Sequence, residues 1–252
     1  MTKPMRFIHY LITLTLSVFP AIAPPCAADE APNPATGWKH QVEVGINGSS
    51  GNTDATHIHA GYAADYADEQ DTWKLVAAYD KSESDGEASR DQLFADLKKA
   101  WLWPDSPWFA FGQGRYDRDR FKDWDYRIAA SGGIGYRLLQ SDTWDIAGRL
   151  GLGGHLSRGE DYEMSTPEII VALDAAWTIT EREALSFTTA FYPSLDEAGE
   201  YRNLTTLDWI MKITEPGRLS MKLGLSNEYD SLASDESEKN DFKYHLSLVW
   251  EM

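Results

Sequence analysis

The chain has 252 residues, and 40 Asp and Glu against 23 Lys and Arg give it a formal net charge of -17 at pH 7. So acidic a chain argues against a nucleic-acid ligand. A mean hydropathy of -0.44 would suit a soluble protein, but ten Trp and twelve Tyr also suit a membrane barrel, whose strands hide half their residues in a polar lumen.

The first element is a targeting segment. "MTKPMR" is basic, "FIHYLITLTLSVFPAIA" is apolar, and "PPCAADE" supplies small residues before charge begins, which is the pattern of a secretory signal. Cleavage is expected after Ala28, with Cys26 and Ala28 at the small-residue positions, since a cut after Ala23 would place Pro24 beside the scissile bond. Lipidation at Cys26 is the rival reading, against which stands Pro25 in place of a small Gly or Ala. Cleavage after Ala28 removes the only cysteine, so neither a disulfide nor a thiol site is expected in the remainder. No further run long enough for a transmembrane helix follows. Residues 29–37 read as a short periplasmic leader, and residues 38–252 as the folded domain.

From Trp38 onward apolar and polar residues alternate, segment after segment, as strands with two different faces require. In "WKHQVEVGINGS" Trp38, Val42, Val44 and Ile46 oppose Lys39, Gln41, Glu43 and Asn47. "THIHAGYAADY" sets Ile58, Ala60, Tyr62, Ala64 and Tyr66 against His57, His59 and Asp65, and "DTWKLVAAYD" sets Trp73, Leu75, Ala77 and Tyr79 against Lys74, Val76 and Asp80. In "QLFADLKKAWLW" the outward set is Leu93, Ala95, Leu97 and Trp101. That leaves Lys99 on the lipid side near a membrane edge, where its long stem can snorkel. "WFAFGQGRYD" is ambiguous, since Trp108 and Tyr116 share one parity and Phe109 and Phe111 the other. Clear alternation resumes through "DYRIAASGGIGYRLL", "TWDIAGRLGLGGHL", "EIIVALDAAWTI", "ALSFTTAFY", "YRNLTTLDWIMKI", "LSMKLGLSNEY" and "DFKYHLSLVWEM".

That makes twelve strands, and the connections between them fall into two kinds. Those after odd-numbered strands are long and mostly acidic ("SSGNTD", "SESDGEAS", "RDRFKDW", "SRGEDYEMST", "PSLDEAGE", "SLASDESEKN"); those after even-numbered strands are generally shorter ("ADEQ", "PDSP", "QSD", "TERE", "TEPGR"). Trp38, Trp73, Trp101, Trp144, Trp177 and Trp250 lie toward the short connections, and Tyr79, Tyr116, Tyr126, Tyr201 and Tyr229 toward the long ones. This sorting fits two interfacial girdles, whereas a periplasmic sandwich has no reason to sort aromatics by strand end. The fold expected is all-β, a transmembrane up-and-down antiparallel barrel of twelve strands, with short turns and both termini in the periplasm.

"INGSSGNTD" in the first hairpin, "YDRDRFKDWDYRIAASGGIGYRLL" from Tyr116 to Leu139, and the terminal strand resemble the domain-of-unknown-function family 481, often labelled salt-induced outer membrane proteins. The resemblance spans nearly the whole chain after the signal. It implies an outer-membrane barrel of undetermined biochemical role and carries over no catalytic or binding residue. Such barrels commonly end in Phe, whereas this chain ends in Met252, so weaker recognition by the assembly machinery is expected, with the fold unchanged.

Candidate chemistry lies on the inward parity. His245 and Ser247, and His155 and Ser157, have the His-x-Ser spacing of a strand-borne hydrolase pair. Both pairs, however, fall on the lumen face, and no orienting Asn or Asp is apparent. His57 and His59 offer two metal ligands where a site needs three or four. Inward cations (Lys39, Lys74, Lys98, Arg115, Arg127, Arg137, Arg149, Arg202, Lys212, Lys222, Lys243) nearly match inward acids (Glu43, Asp65, Asp80, Asp96, Asp145, Glu168, Asp174, Asp208, Glu228). Of these, Arg115, Arg127, Arg137, Arg149, Asp174, Asp208, Lys222 and Glu228 are the lumen-lining candidates. They read either as a narrow polar pore with selective charged rings or as ion pairs that fill the barrel. Gly132, Gly133, Gly135, Gly151, Gly153 and Gly154 fit barrel curvature better than a phosphate loop.

The expectation is therefore a monomeric, non-enzymatic protein of the bacterial outer membrane, without catalytic residue, metal or cofactor. Its role is read as a narrow pore for small hydrophilic solutes or an osmotic, salt-responsive envelope protein. The alternatives are a membrane-embedded lipid hydrolase and a structural or adhesive protein acting through its acidic loops. Expected partners are outer-membrane lipids, lipopolysaccharide and, through the C-terminal strand, the barrel assembly machinery.

Overall fold

The computed structural model describes residues 37–49, 55–122, 124–160, 163–214, 218–231 and 239–252. The expected signal, its cleavage site and residues 29–36 of the leader lie outside them. The alternating segments form twelve strands: β1 (Gly37–Ser49), β2 (Ala55–Ala67), β3 (Asp71–Ser84), β4 (Glu87–Leu102), β5 (Trp108–Asp119), β6 (Tyr126–Gln140), β7 (Trp144–Arg158), β8 (Glu163–Thr178), β9 (Glu183–Pro193), β10 (Tyr201–Lys212), β11 (Leu219–Asp230) and β12 (Asn240–Glu251). Each pairs with its sequence neighbours, and β12 returns to pair with β1, so the sheet closes into a barrel. Closure removes the free edges that a membrane would not tolerate. At the seam the register runs from Gln41 opposite Glu251 to Val44 opposite Leu248. Beyond it, the Met252 amide donates to the His40 carbonyl at 2.8 Å.

Alternation decides which face meets lipid. On β12 the side chains of Phe242, Tyr244, Leu246, Leu248 and Trp250 are exposed, while Ser247 and Val249 between them are buried inside. On β7, Leu150 and Leu152 project outward, and Arg149 and His155 are buried in the lumen. Aromatic pairs mark the two rims. At the end that carries Gly37 and Met252 Trp144 stacks on Trp177 (5.0 Å) and Trp108 meets Tyr136 edge-on (4.8 Å). At the far end Tyr201 lies 5.0 Å from Phe191 and 5.1 Å from Tyr229. Lys99, on the outer face as its parity requires, places its ammonium over the rings of Trp73 (4.5 Å) and Trp101 (5.0 Å) and 3.1 Å from Asp71. Its charge is thus met at the rim by a carboxylate and two π faces.

Two features differ from the sequence reading. The expected loop at 82–89 is mostly strand: β3 and β4 run on and turn at Asp85 and Gly86, both at positive φ (52° and 83°), the geometry of a tight two-residue hairpin. Likewise much of the expected 157–166 connection belongs to β7 and β8. Hydrophobic periodicity reports only the stretch whose one face meets lipid. Past the rim both faces are wet, and the ladder continues with polar residues such as Lys81 and Glu83, joined at 2.6 Å.

The second difference resolves the ambiguity of β5. Phe109 and Phe111 face inward and are buried with Ala100, Ile170, Ala172 and Ala190 in an apolar cluster inside the barrel. Space for it comes from the neighbouring wall. The Phe109 ring lies where a side chain at its cross-strand partner Gly135 would stand, and a Cβ at Gly151 would come within 3.0 Å of Ile170. At Gly133 a Cβ would strike the Leu150 carbonyl. These glycines mark where β6 and β7 approach closely and the wall curves.

Candidate functional site

The interior divides into zones along the barrel axis. At the end that carries Gly37 and Met252 opens a chamber of about 480 Å³, lined by Lys39, Lys74, Lys98, Arg137 and Arg149 against Asp65, Asp145 and Asp174, with Phe109, Ala100 and Leu102 supplying apolar wall. Five cations against three acids make this mouth cationic in a strongly acidic protein. The Arg137 guanidinium turns to the Gln140 side chain, 3.0 Å away.

The chamber ends at a waist built on Asp174. Arg149 donates to it from Nε (2.6 Å) and Nη2 (3.2 Å), Lys98 from Nζ (3.3 Å) and Thr188 from its hydroxyl (3.2 Å). The remaining Arg149 amine reaches Gln113 at 3.1 Å, and its guanidinium lies 5.2 Å from the Phe111 ring. Every donor here comes from a different inward position, so the group spans the barrel from β4 through β9. Two cations share one carboxylate, beside the buried apolar cluster of Phe109, Phe111 and Ile170.

Beyond the waist the charges are almost fully paired. Arg202 grips Glu168 in a bidentate contact (3.0 and 2.9 Å), with the His155 Nδ1 3.1 Å from the same carboxylate. Arg127 donates to the Ser157 hydroxyl (2.8 Å) and to Asp230 (3.0 Å), approaches Glu228 (3.8 Å), and stacks on Trp124 from the β5–β6 connection (4.7 Å). Arg115 is held by Asp117 at 2.6 Å. Between waist and this network a small cavity of about 20 Å³ is lined by Gln113, Arg115, Glu168, Tyr192 and Arg202.

A separate cluster lies on the wall formed by β1, β2, β11 and β12. Glu43 Oε1 faces His245 Nε2 (3.1 Å) and His59 Nε2 (3.4 Å) and accepts from the Ser247 hydroxyl, while Lys222 holds Oε2 at 2.9 Å and reaches Asp208 at 3.6 Å. His59 Nδ1 bonds Asp80 at 2.8 Å, and the two imidazoles stack with centroids 4.4 Å apart. His57 bonds Ser82 at 2.7 Å and lies 3.5 Å from the same Asp80 oxygen that His59 bonds. The two histidines thus share Asp80, while only His59 reaches Glu43 and stacks on His245. That grouping was not seen in the sequence. It follows from barrel closure, which makes β12, β1 and β2 consecutive neighbours.

The same geometry bears on the hydrolase reading. The hydroxyl of Ser247 is engaged by Glu43 and that of Ser157 by Arg127, so neither serine is hydrogen-bonded to the histidine two residues before it.

Twelve antiparallel strands closed on themselves, apolar outside and charged within, define a β-barrel of the outer-membrane type. The sequence matches, over residues 42–251, the family described as protein of unknown function DUF481, and the chain belongs to that family. No curated protein matches it. Among solved structures the barrel is similar to the NanC porin, with a TM-score of 0.50 at 7% identity, covering 86% of this chain and 100% of that one. An outer membrane channel from Pseudomonas putida F1 aligns with a TM-score of 0.47 at 10% identity over 90% of this chain and 100% of the other. The translocator domain of the autotransporter NalP from Neisseria meningitidis gives 0.42 at 10% identity over 85% and 86%. At such identities the likeness is one of fold.

Proposed function

We propose that the protein is a narrow channel of the bacterial outer membrane for small hydrophilic solutes, entered from the periplasmic side through a vestibule that favours anions. The observation that carries this reading is the cationic chamber ending on the Arg149–Asp174 pair. A low-dielectric barrel wall focuses the field of its inward charges, so an excess of cations at one mouth raises the local concentration of anions. The waist then sets the conductance, because a solute passes only by displacing side chains that Asp174 holds together.

Recording from purified protein in planar bilayers tests this. Small, discrete conductance steps are expected in the unaltered protein, and larger ones in the Arg149→Ala, Asp174→Ala double variant, which keeps charge balance while opening the waist. Silence of both proteins at high salt would overturn the channel reading.

A further inference from the structure

We infer that Glu43, His59 and His245 form a binding site for a divalent transition-metal ion of the zinc class, set into the lumen wall beside the barrel seam. Imidazole nitrogens and a carboxylate oxygen are the donor set that such borderline ions take. The spacing fits as well. An ion bound tetrahedrally at ~2.0–2.1 Å holds its ligand atoms roughly 3.3 Å apart. Glu43 Oε1 lies 3.1 Å from His245 Nε2 and 3.4 Å from His59 Nε2, and all three ligand atoms lie within 4.8 Å of one another. Among the described residues this is the only such group of three.

Two further observations point to a built site. Each ligand faces a glycine across a ladder: Glu43 opposite Gly61, His59 opposite Gly45 and His245 opposite Gly224. A side chain at Gly224 would occupy the place of the His245 ring, and one at Gly61 would come within 3.2 Å of Glu43. The missing side chains let the three ligands lean together over the wall. The buried His245 Nε2 also has no aligned hydrogen bond, although the carboxylate oxygen is 3.1 Å away. Oε1 already accepts from the Ser247 hydroxyl, and a cation between its remaining lone pair and the imidazole nitrogen satisfies both.

The surroundings suit the assignment. Asp80 receives the Nδ1 side of His59 at 2.8 Å, which leaves Nε2 as the metal-facing atom, the usual carboxylate–histidine support of a ligand. Lys222 occupies the other oxygen of Glu43, fixing the carboxylate and leaving Oε1 toward the imidazoles. Three protein ligands leave a fourth position for water. The site does not depend on conduction and would hold in a barrel that carries no solute.

Calorimetric titration of chelator-stripped, folded protein in detergent with Zn²⁺ should show one equivalent bound per chain. Asp80→Asn should weaken it roughly 10–100-fold, His245→Ala should abolish the stoichiometric step, and His40→Ala, on the outer face, should leave it intact. Heat-modifiable migration on gels identifies variants that fold. Because a variant can fail to fold, Co²⁺ added to the unaltered chain supplies a second test, with an intense visible band of low-coordinate cobalt expected at one equivalent. Absence of both Zn²⁺ uptake and the Co²⁺ band, or equal uptake by folded His245→Ala, would overturn the site.

Discussion

The ring of Phe109 on β5 occupies the volume that the side chain of residue 135 on β6 would fill. Gly135→Ala must therefore push the ring out of its packing against the lumen cluster. A cost of about 1–3 kcal/mol is expected, as for other overpacked interiors, read as a lower urea midpoint of the folded barrel in detergent. Phe109→Leu in the same chain should recover part of it. Gly133→Ala should cost more, since its Cβ would meet the Leu150 carbonyl, and backbone cannot rotate aside.

Arg202 and Glu168 are both buried and joined by two hydrogen bonds. Removing one partner strands a desolvated charge, so Glu168→Ala should destabilise the barrel by roughly 3–5 kcal/mol. Replacing both, with Arg202→Met and Glu168→Leu, should cost far less. Denaturant unfolding of the two variants compares them directly, and an equal loss in both would mean that the pair itself contributes the stability.

The anion preference proposed for the vestibule rests on Lys39 and Lys74, which line the mouth beside Asp65. Lys39→Glu with Lys74→Glu reverses the charge excess at the mouth while leaving the waist untouched. The reversal potential under a salt gradient should move from anion toward cation preference, with unitary conductance little changed.

Asp68 ties the β2–β3 turn. Its carboxylate accepts from the Asp71 amide (2.6 Å), the Tyr66 hydroxyl (2.8 Å) and the Gln70 amide (2.8 Å), and these bonds, the Asp71 amide first, hold its pKa below the usual carboxylate range. A depressed carboxyl stabilises the turn above its unfolded pKa and loses that contribution as pH falls through the folded one. Amide exchange at Gln70 and Asp71 should thus stay protected at neutral pH and open as pH falls below the usual carboxylate range, whereas Asp68→Ala should open both amides at every pH.

The barrel was legible in the sequence because lipid imposes a strict rule: one parity apolar, the other polar, strand after strand. The rule fails in informative places. It could not orient β5, because Phe109 and Phe111 answer to glycines on a different strand, and it missed the length of β3 and β4, whose ends meet water on both faces. Parity separated inward from outward charge, but pairing is a three-dimensional matter. Nothing in "VALDAAW" says that Asp174 is met by Lys98 from β4 and Arg149 from β7. The grouping of Glu43, His59 and His245 was one inference away, since a closed barrel makes the last strand the neighbour of the first two. What the sequence withholds is register, without which Glu43 cannot be set beside either histidine.

The hydrogen bond between Met252 and His40 has a consequence in time. These residues are separated by almost the whole folded domain, so closing the cylinder is the least local step in its formation and the most demanding in chain entropy. β1, made first, must wait with one side unbonded until β12 arrives. An intermediate lacking only the final strand is a nearly complete curved sheet with two sticky margins, competent to pair with itself or with a second copy. Loss of even the last few residues would leave most of the wall in place and remove the means of sealing it.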